Sequence, residues 1–298
     1  MLFLYTCDEP PAGCAWTDIA DRAAVAHASN VRTLVTTDLA ELTAHDLLDD
    51  VDIAVPVVNF VDEKDGPDHR AEYDAFLTRP GTSLWWYQSC MSHGCGGGET
   101  TDPYFTGWPS LMIDASGVQN RALEWLSFRD HIAGELYFAT DDQLVNAWTD
   151  QFAYGGNGDG TLFYPGRPDV IGGSTDIPVA SQRLACIRDG MEDYELLALL
   201  DARGDDDAAF AHQVASGLFP EASGVAAVPG QALAEARLSL LNRLAPLDST
   251  PGDDTANDTA APPKRCGCDG ASVGSAWLAA ALALALRRRV ALSRPPSA

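Results

Sequence analysis

The chain has 298 residues, of which 46% are hydrophobic, and 19 Lys/Arg stand against 43 Asp/Glu for a formal net charge of −24. That length holds one sizeable domain, or one domain with appendages, and seven tryptophans supply material for a core. The acidity excludes nucleic acid and anionic lipid as partners of the main body, and seven scattered cysteines, an odd number, are too few for a disulfide scaffold.

The first expected strand covers residues 2–6. It runs through Cys7 into the adjacent carboxylates Asp8 and Glu9, and then into Pro10 and Pro11, which bar it from continuing. Acids at the carboxyl end of a buried parallel strand are where barrel enzymes hold their catalytic groups. Such a strand does not ordinarily begin at an initiator methionine, so the chain is expected to be the back part of a longer protein. An Ala-rich helix is predicted over 16–29, stopped at Asn30, then a strand over 33–37 and a helix near 39–48. A strand over 53–58, a helix over 67–77 stopped by Pro80-Gly81, and a strand over 83–88 follow. Cys90 and Cys95 flank His93 in a loop-like composition. A loop disulfide or two free thiols is the reading there, because no second ligand pair follows at zinc spacing.

Ser116 and Gln119 form a capping-box pattern. Val118, Ala122, Trp125, Leu126 and Ile132 then make one apolar helical face, closed by Gly134 ahead of a strand over 135–139. After a long loop, a helix over 181–202 is expected to bury Leu184, Ile187, Met191, Tyr194 and Ala198. Charges at Arg183, Arg188, Asp189, Glu192 and Asp193 brace it, and helices near 208–218 and 231–244 complete the body.

Alternating strands and helices give an α/β class with a parallel sheet. With a strand at residue 1, the five βα units read as strands four to eight of a (β/α)8 TIM-like barrel, extended by extra helices. The barrel domain occupies 1–250 and a disordered linker 251–265, in Pro/Asp/Thr-rich composition. A tail over 266–298 follows, and residues 264–298 carry six Lys/Arg against one Asp/Glu. In it Cys266-Gly-Cys268 precedes an uncharged run over 270–286 and then Arg287-Arg-Arg289. The run is an apolar helix a little short of the ~20 residues of a full span, and the arginines mark its cytoplasmic end. This tripartite pattern resembles myxobacterial-type C-terminal sorting signals. The resemblance implies membrane attachment through 270–286, processing machinery at Cys266 and Cys268, and an exported, cell-surface or outer-membrane protein.

Five motifs recur together in one family in this order. They are Tyr5-Thr-Cys-Asp-Glu-Pro10, Leu84-Trp-Trp-Tyr-Gln-Ser-Cys90, Asn120-Arg-Ala-Leu-Glu-Trp125, Gly158-Asp-Gly-Thr-Leu-Phe-Tyr-Pro-Gly166 and Arg183-Leu-Ala-Cys-Ile-Arg-Asp-Gly-Met-Glu-Asp-Tyr194. Over about residues 3–200 the chain resembles the catalytic domain of glycoside hydrolase family 123. The resemblance implies a retaining β-N-acetylgalactosaminidase using substrate-assisted catalysis, with a glycan substrate and neither metal nor organic cofactor. Glu9 is then the acid/base on the glycosidic oxygen. Asp8 orients the substrate's 2-acetamido group, whose oxygen attacks the anomeric carbon to form an oxazolinium. Adjacent residues leaving one strand do not easily face each other across a sugar ring, which suits this division better than the paired-carboxylate arrangement.

Aromatic planes suit the apolar faces of sugars. Trp85, Trp86 and Tyr87 end the fourth strand, Tyr137 lies on the fifth and Trp148 in a loop beyond it. Alternation sends one of Trp85 and Trp86 to the helix side, so only one is a sugar platform, and Tyr87 is the strongest pocket candidate. Phe138 stands where the family usually carries Trp. Asn59, after the third strand, is either a ligand to a sugar hydroxyl or a turn residue. The alternative to an enzyme is a non-catalytic carbohydrate-binding surface protein on a degenerate barrel.

Overall fold

The computed structural model describes residues 1–64, 66, 68–93, 103–152 and 155–245. Five short strands alternate with helical segments in the order β1 (Phe3–Cys7), α1 (Trp16–Ala28), β2 (Arg32–Val35), α2 (Leu39–Ala44), β3 (Ile53–Ala54), α3 (Arg70–Leu77), β4 (Ser83–Tyr87), α4 (Cys90–His93), α5 (Ala122–Arg129) and β5 (Gly134–Leu136). The strands pair in chain order and all in parallel, with Leu34 beside Ile53, Ile53 beside Ser83 and Trp86 beside Glu135. The fold class is therefore α/β, as the alternating pattern predicts.

The sheet curls as half of a barrel. The rings of Phe3 on β1 and Trp85 on β4 meet edge to face with centroids 5.2 Å apart. Three strand spacings in a flat sheet would separate their backbones by roughly 14 Å. Trp85 and Tyr87 thus face the concave side, and alternation sends Leu84 and Trp86 to the helix side. There Trp86 is 0% exposed and its indole N–H donates to Ser127 Oγ of α5 at 3.0 Å.

Local chemistry explains where the elements stop. Asn30 closes α1 at φ 60°, a left-handed conformation that Asn tolerates, and Val31 N–H returns to Ala26 O at 2.9 Å. Asp38 caps α2 by accepting from Glu41 N–H at 2.8 Å. Strand β3 is shorter than expected: beyond Ala54 the pairing continues as an isolated parallel bridge between Val57 and Tyr87 before the chain enters a 3-10 turn over Val58–Phe60. The capping box forms, with Ser116 and Gln119 exchanging hydrogen bonds at 3.1 and 3.2 Å, but regular helix begins only at Ala122. Gly134 opens β5 rather than closing a helix. A Cβ there would lie 2.5 Å from the Trp85 ring, so that position requires glycine.

The expected long loop contains an antiparallel hairpin, β6 (Phe163–Gly166) and β7 (Ile177–Ala180), with α6 (Pro168–Ile171) between them. Its strands are hidden in the sequence because Pro165 and Pro178 sit opposite each other in the ladder. Three helices finish the body: α7 (Gln182–Asp201), α8 (Asp205–Leu218) and α9 (Gly230–Leu244). The predicted apolar stripe on α7 is corrected. The helix buries Arg183, Gly190, Asp193, Leu197 and Leu200, while Met191 is exposed.

Two of those buried charges hold α7 in place. Arg183 donates to the carbonyls of Leu111 and Gly158 at 2.7 Å each. Asp193 accepts from Arg121 Nε at 2.6 Å and Trp125 Nε1 at 2.8 Å, and pairs with Arg237 of α9. Arg188, by contrast, pairs along its own helix, with Asp189 and Glu192. Among the described residues no helix is long and apolar enough to cross a membrane. The linker 251–265 and the run 270–286 with Cys266 and Cys268 lie outside the described residues.

Candidate functional site

The carboxyl ends of β1, β2 and β4 bring together five side chains: Tyr5, Asp8, Glu9, Thr36 and Tyr87. Asp8 Oδ1 accepts from the Tyr5 hydroxyl at 2.5 Å and from Thr36 Oγ1 at 3.0 Å. Glu9 turns the other way, and its Oε1 accepts from the Tyr87 hydroxyl at 2.5 Å. Burial, reinforced by these carboxylate partners, raises both tyrosines well above the ordinary phenol range. They stay protonated and serve as fixed donors.

The turn that carries the acids is tightly built. Glu9 has φ 41°, uncommon for a residue with a Cβ, and its N–H donates to Thr36 Oγ1 at 2.7 Å. The Glu9 carbonyl accepts from Ala12 N–H at 2.8 Å and Gly13 N–H at 3.4 Å. A Cβ at position 13 would collide with the Asp8 carbonyl, so only glycine fits. A disulfide between Cys7 and Cys14, with Cα atoms 5.8 Å apart, ties the two ends of the loop. The sequence reading missed this pairing, although a cysteine on either side of the Asp-Glu-Pro-Pro turn was its signal. It missed Tyr5 and Thr36 as well. Thr36 could have been found, because neighbouring parallel strands end at the same edge and Thr36 directly follows β2. Cys90 is also disulfide-bonded; Cys95 lies outside the described residues, and Cys186 is a free thiol.

The other predicted contacts disperse. Trp85 lies on the concave face one pleat repeat below Tyr87, half-buried against Phe3 and Gly134. Trp86 faces α5, so a ligand at the acid turn cannot reach it; this corrects its candidacy. Asn59 is half-buried in the 3-10 turn after β3. Tyr137 lies past the end of β5 with its hydroxyl 3.4 Å from Asp159 Oδ1. Trp148 is 44% exposed and belongs to the hairpin, where it donates to Pro165 O at 2.9 Å and packs on Tyr164. Both Asp8 and Glu9 are exposed. The site is an open shelf.

A cavity of about 240 Å³ lies elsewhere, lined mainly by apolar side chains between β5, α5 and α7. Two carboxyl groups share it. Glu124 is 4% exposed, with no hydrogen-bond partner for Oε2 among the described residues, and Glu135 accepts from Ser127 Oγ at 2.6 Å. Burial pushes Glu135 up to about 7 and, with the Glu135 charge, holds Glu124 well above the usual carboxylate range. A second cavity, of about 140 Å³, adjoins the Arg129 ion pairs with Asp62 and Asp130 at 2.7 and 2.6 Å. Among the described residues no cluster of His, Cys, Asp and Glu has the makings of a metal site.

No family model matches this chain, and no curated protein matches it. Among solved structures the chain is similar to a family 123 glycoside hydrolase from Clostridium perfringens, whose structural analysis concerns the hydrolysis of glycolipid glycans. The identity is 18% and the TM-score 0.48, over 72% of this chain and 34% of that one. The chain spans about a third of the length of the solved protein it matches.

Proposed function

We propose that the acid turn is the active centre of a retaining glycoside hydrolase acting on β-linked N-acetylhexosamine, GalNAc first, by substrate-assisted catalysis. The observation that carries this reading is the separate anchoring of two adjacent carboxylates at a strand end. Asp8 is gripped from β1 and β2 through Tyr5 and Thr36, and Glu9 from β4 through Tyr87. Two acids held by different strands suit two different tasks.

In this reading Glu9 protonates the leaving oxygen as the 2-acetamido oxygen attacks the anomeric carbon. Asp8 holds the acetamide N–H and balances the positive oxazolinium. Water then attacks the anomeric carbon from the face the aglycone left, giving up its proton to Glu9, and the configuration is retained. A TIM-like barrel completed by preceding βα units suits the open shelf, because their loops would wall it. The Cys7–Cys14 and Cys90 disulfides favour an oxidising compartment and so an exported protein. The openness of the shelf favours a second reading, a carbohydrate-binding surface without turnover.

A panel of β-aryl glycosides, matched with and without the 2-acetamido group, separates the two. The hydrolase reading predicts release only from the acetamido sugars. Equal rates on glucosides and acetamido sugars would contradict the mechanism, and binding without release would favour the second reading.

A further inference from the structure

We infer that Thr36 is a positioning residue of the acid turn: its hydroxyl, rather than its shape, fixes Asp8 and Glu9 relative to one another. The catalytic consequence rests on the hydrolase reading above. Thr36 directly follows β2 and is 2% exposed. A hydroxyl has one proton to donate. Here that proton goes to Asp8 Oδ1 at 3.0 Å, while the oxygen accepts Glu9 N–H at 2.7 Å. One atom therefore touches both acids, one through its side chain and the other through its backbone.

The two contacts do different work. The bond to Glu9 N–H holds that residue at φ 41°, a conformation that non-glycine residues avoid and that surrounding structure must enforce. This conformation turns the Glu9 side chain away from β1 and toward the Tyr87 hydroxyl on β4. Without the bond, Glu9 can relax toward extended backbone and lose Tyr87. Asp8 would then keep only Tyr5, a half-exposed donor on the first strand of the sheet. Cys7–Cys14 and Gly13 secure the ends of the loop, but neither grips the Glu9 peptide N–H. A single missing oxygen thus loosens both carboxylates, and misplacement by about 1 Å is enough to cost roughly a hundredfold in rate.

Thr36→Val keeps the β-branched shape and removes the oxygen; Thr36→Ser keeps the oxygen and removes the methyl group. In the full chain, Thr36→Val is expected to lower kcat roughly a hundredfold on activated and unactivated aryl acetamido-glycosides alike, with KM little changed. Thr36→Ser is expected to retain most of the activity. Amide hydrogen exchange at Glu9, followed by NMR, should quicken about tenfold or more in the Val variant and stay near wild type in the Ser variant. A packing role gives the opposite order, with Val near wild type and Ser impaired, and that result overturns the inference. So does a folded Ser variant with less than about a tenth of wild-type kcat, since an intact hydroxyl would then not be enough. An active wild type with an unaffected Val variant sinks Thr36 alone. A wild type inactive on every aryl glycoside sinks the hydrolase reading and, with it, the catalytic role given to Thr36.

Discussion

Glu9→Gln is expected to lower kcat/KM on acetamido-glycosides with poor leaving groups by about 10²–10⁴, the usual contribution of a general acid. On activated aryl leaving groups, which need little protonation, the bond-breaking step should keep most of its rate. The substitution leaves the local structure nearly intact. Gln Oε1 can still accept from the Tyr87 hydroxyl, and the backbone bond from residue 9 to Thr36 Oγ1 is unchanged. The melting temperature should therefore stay within a degree or two of wild type. Parallel kinetics on the two leaving-group classes separate the roles. Equal losses on both would assign Glu9 to stabilising the intermediate or to holding the turn.

Glu135→Gln is expected to stabilise the protein above neutral pH and leave it nearly unchanged in acid. Glu135 has an ordinary value of 4.5 in an unfolded chain, and burial raises it to about 7 in the fold. Between those values the folded state holds a proton that the unfolded state has released. The associated stability is complete below about 4.5 and is lost as pH rises through about 7. A shift of that size corresponds to about 3 kcal/mol. The Gln amide keeps an acceptor for Ser127 and brings a donor toward Glu124 Oε2, which has none among the described residues. Urea unfolding from pH 5 to 8.5 should show wild-type stability falling with pH and the variant's curve markedly flatter. Two parallel curves would mean that the pair does not carry a proton in the fold.

The strand–helix order was legible because its signals are local. Periodicity, Asn30, Asp38 and the Ser116/Gln119 box each act within a few residues of where they stand. Asp8 and Glu9 stood out as a candidate site for the same reason, as a charged break at the end of an apolar run. Tyr87 stood out as a pocket aromatic but not as the partner of Glu9, and Thr36 did not stand out at all, because both come from other strands and meet the acids only once the sheet curls. Trp85 and Trp86 could not be told apart until the pleat fixed which one faces α5. The stripe on α7 was misread because periodicity counts apolar residues, whereas Arg183 and Asp193 are buried with partners on other segments that satisfy them. The β6–β7 hairpin escaped because its facing prolines suppress the usual strand signal.

In the proposed mechanism the substrate's own acetamide is the nucleophile at a site oriented by Asp8. A thiazoline analogue of the oxazolinium, titrated into the full chain by calorimetry, tests it most directly. An incubation with an activated fluorosugar, read by mass spectrometry, completes the measurement. The thiazoline is expected to bind at least ~100-fold more tightly than the parent N-acetylhexosamine. Asp8→Asn should abolish most of that advantage, and no covalent glycosyl adduct should accumulate. A trapped adduct on a carboxylate of the chain, with no binding of the thiazoline, would contradict the mechanism.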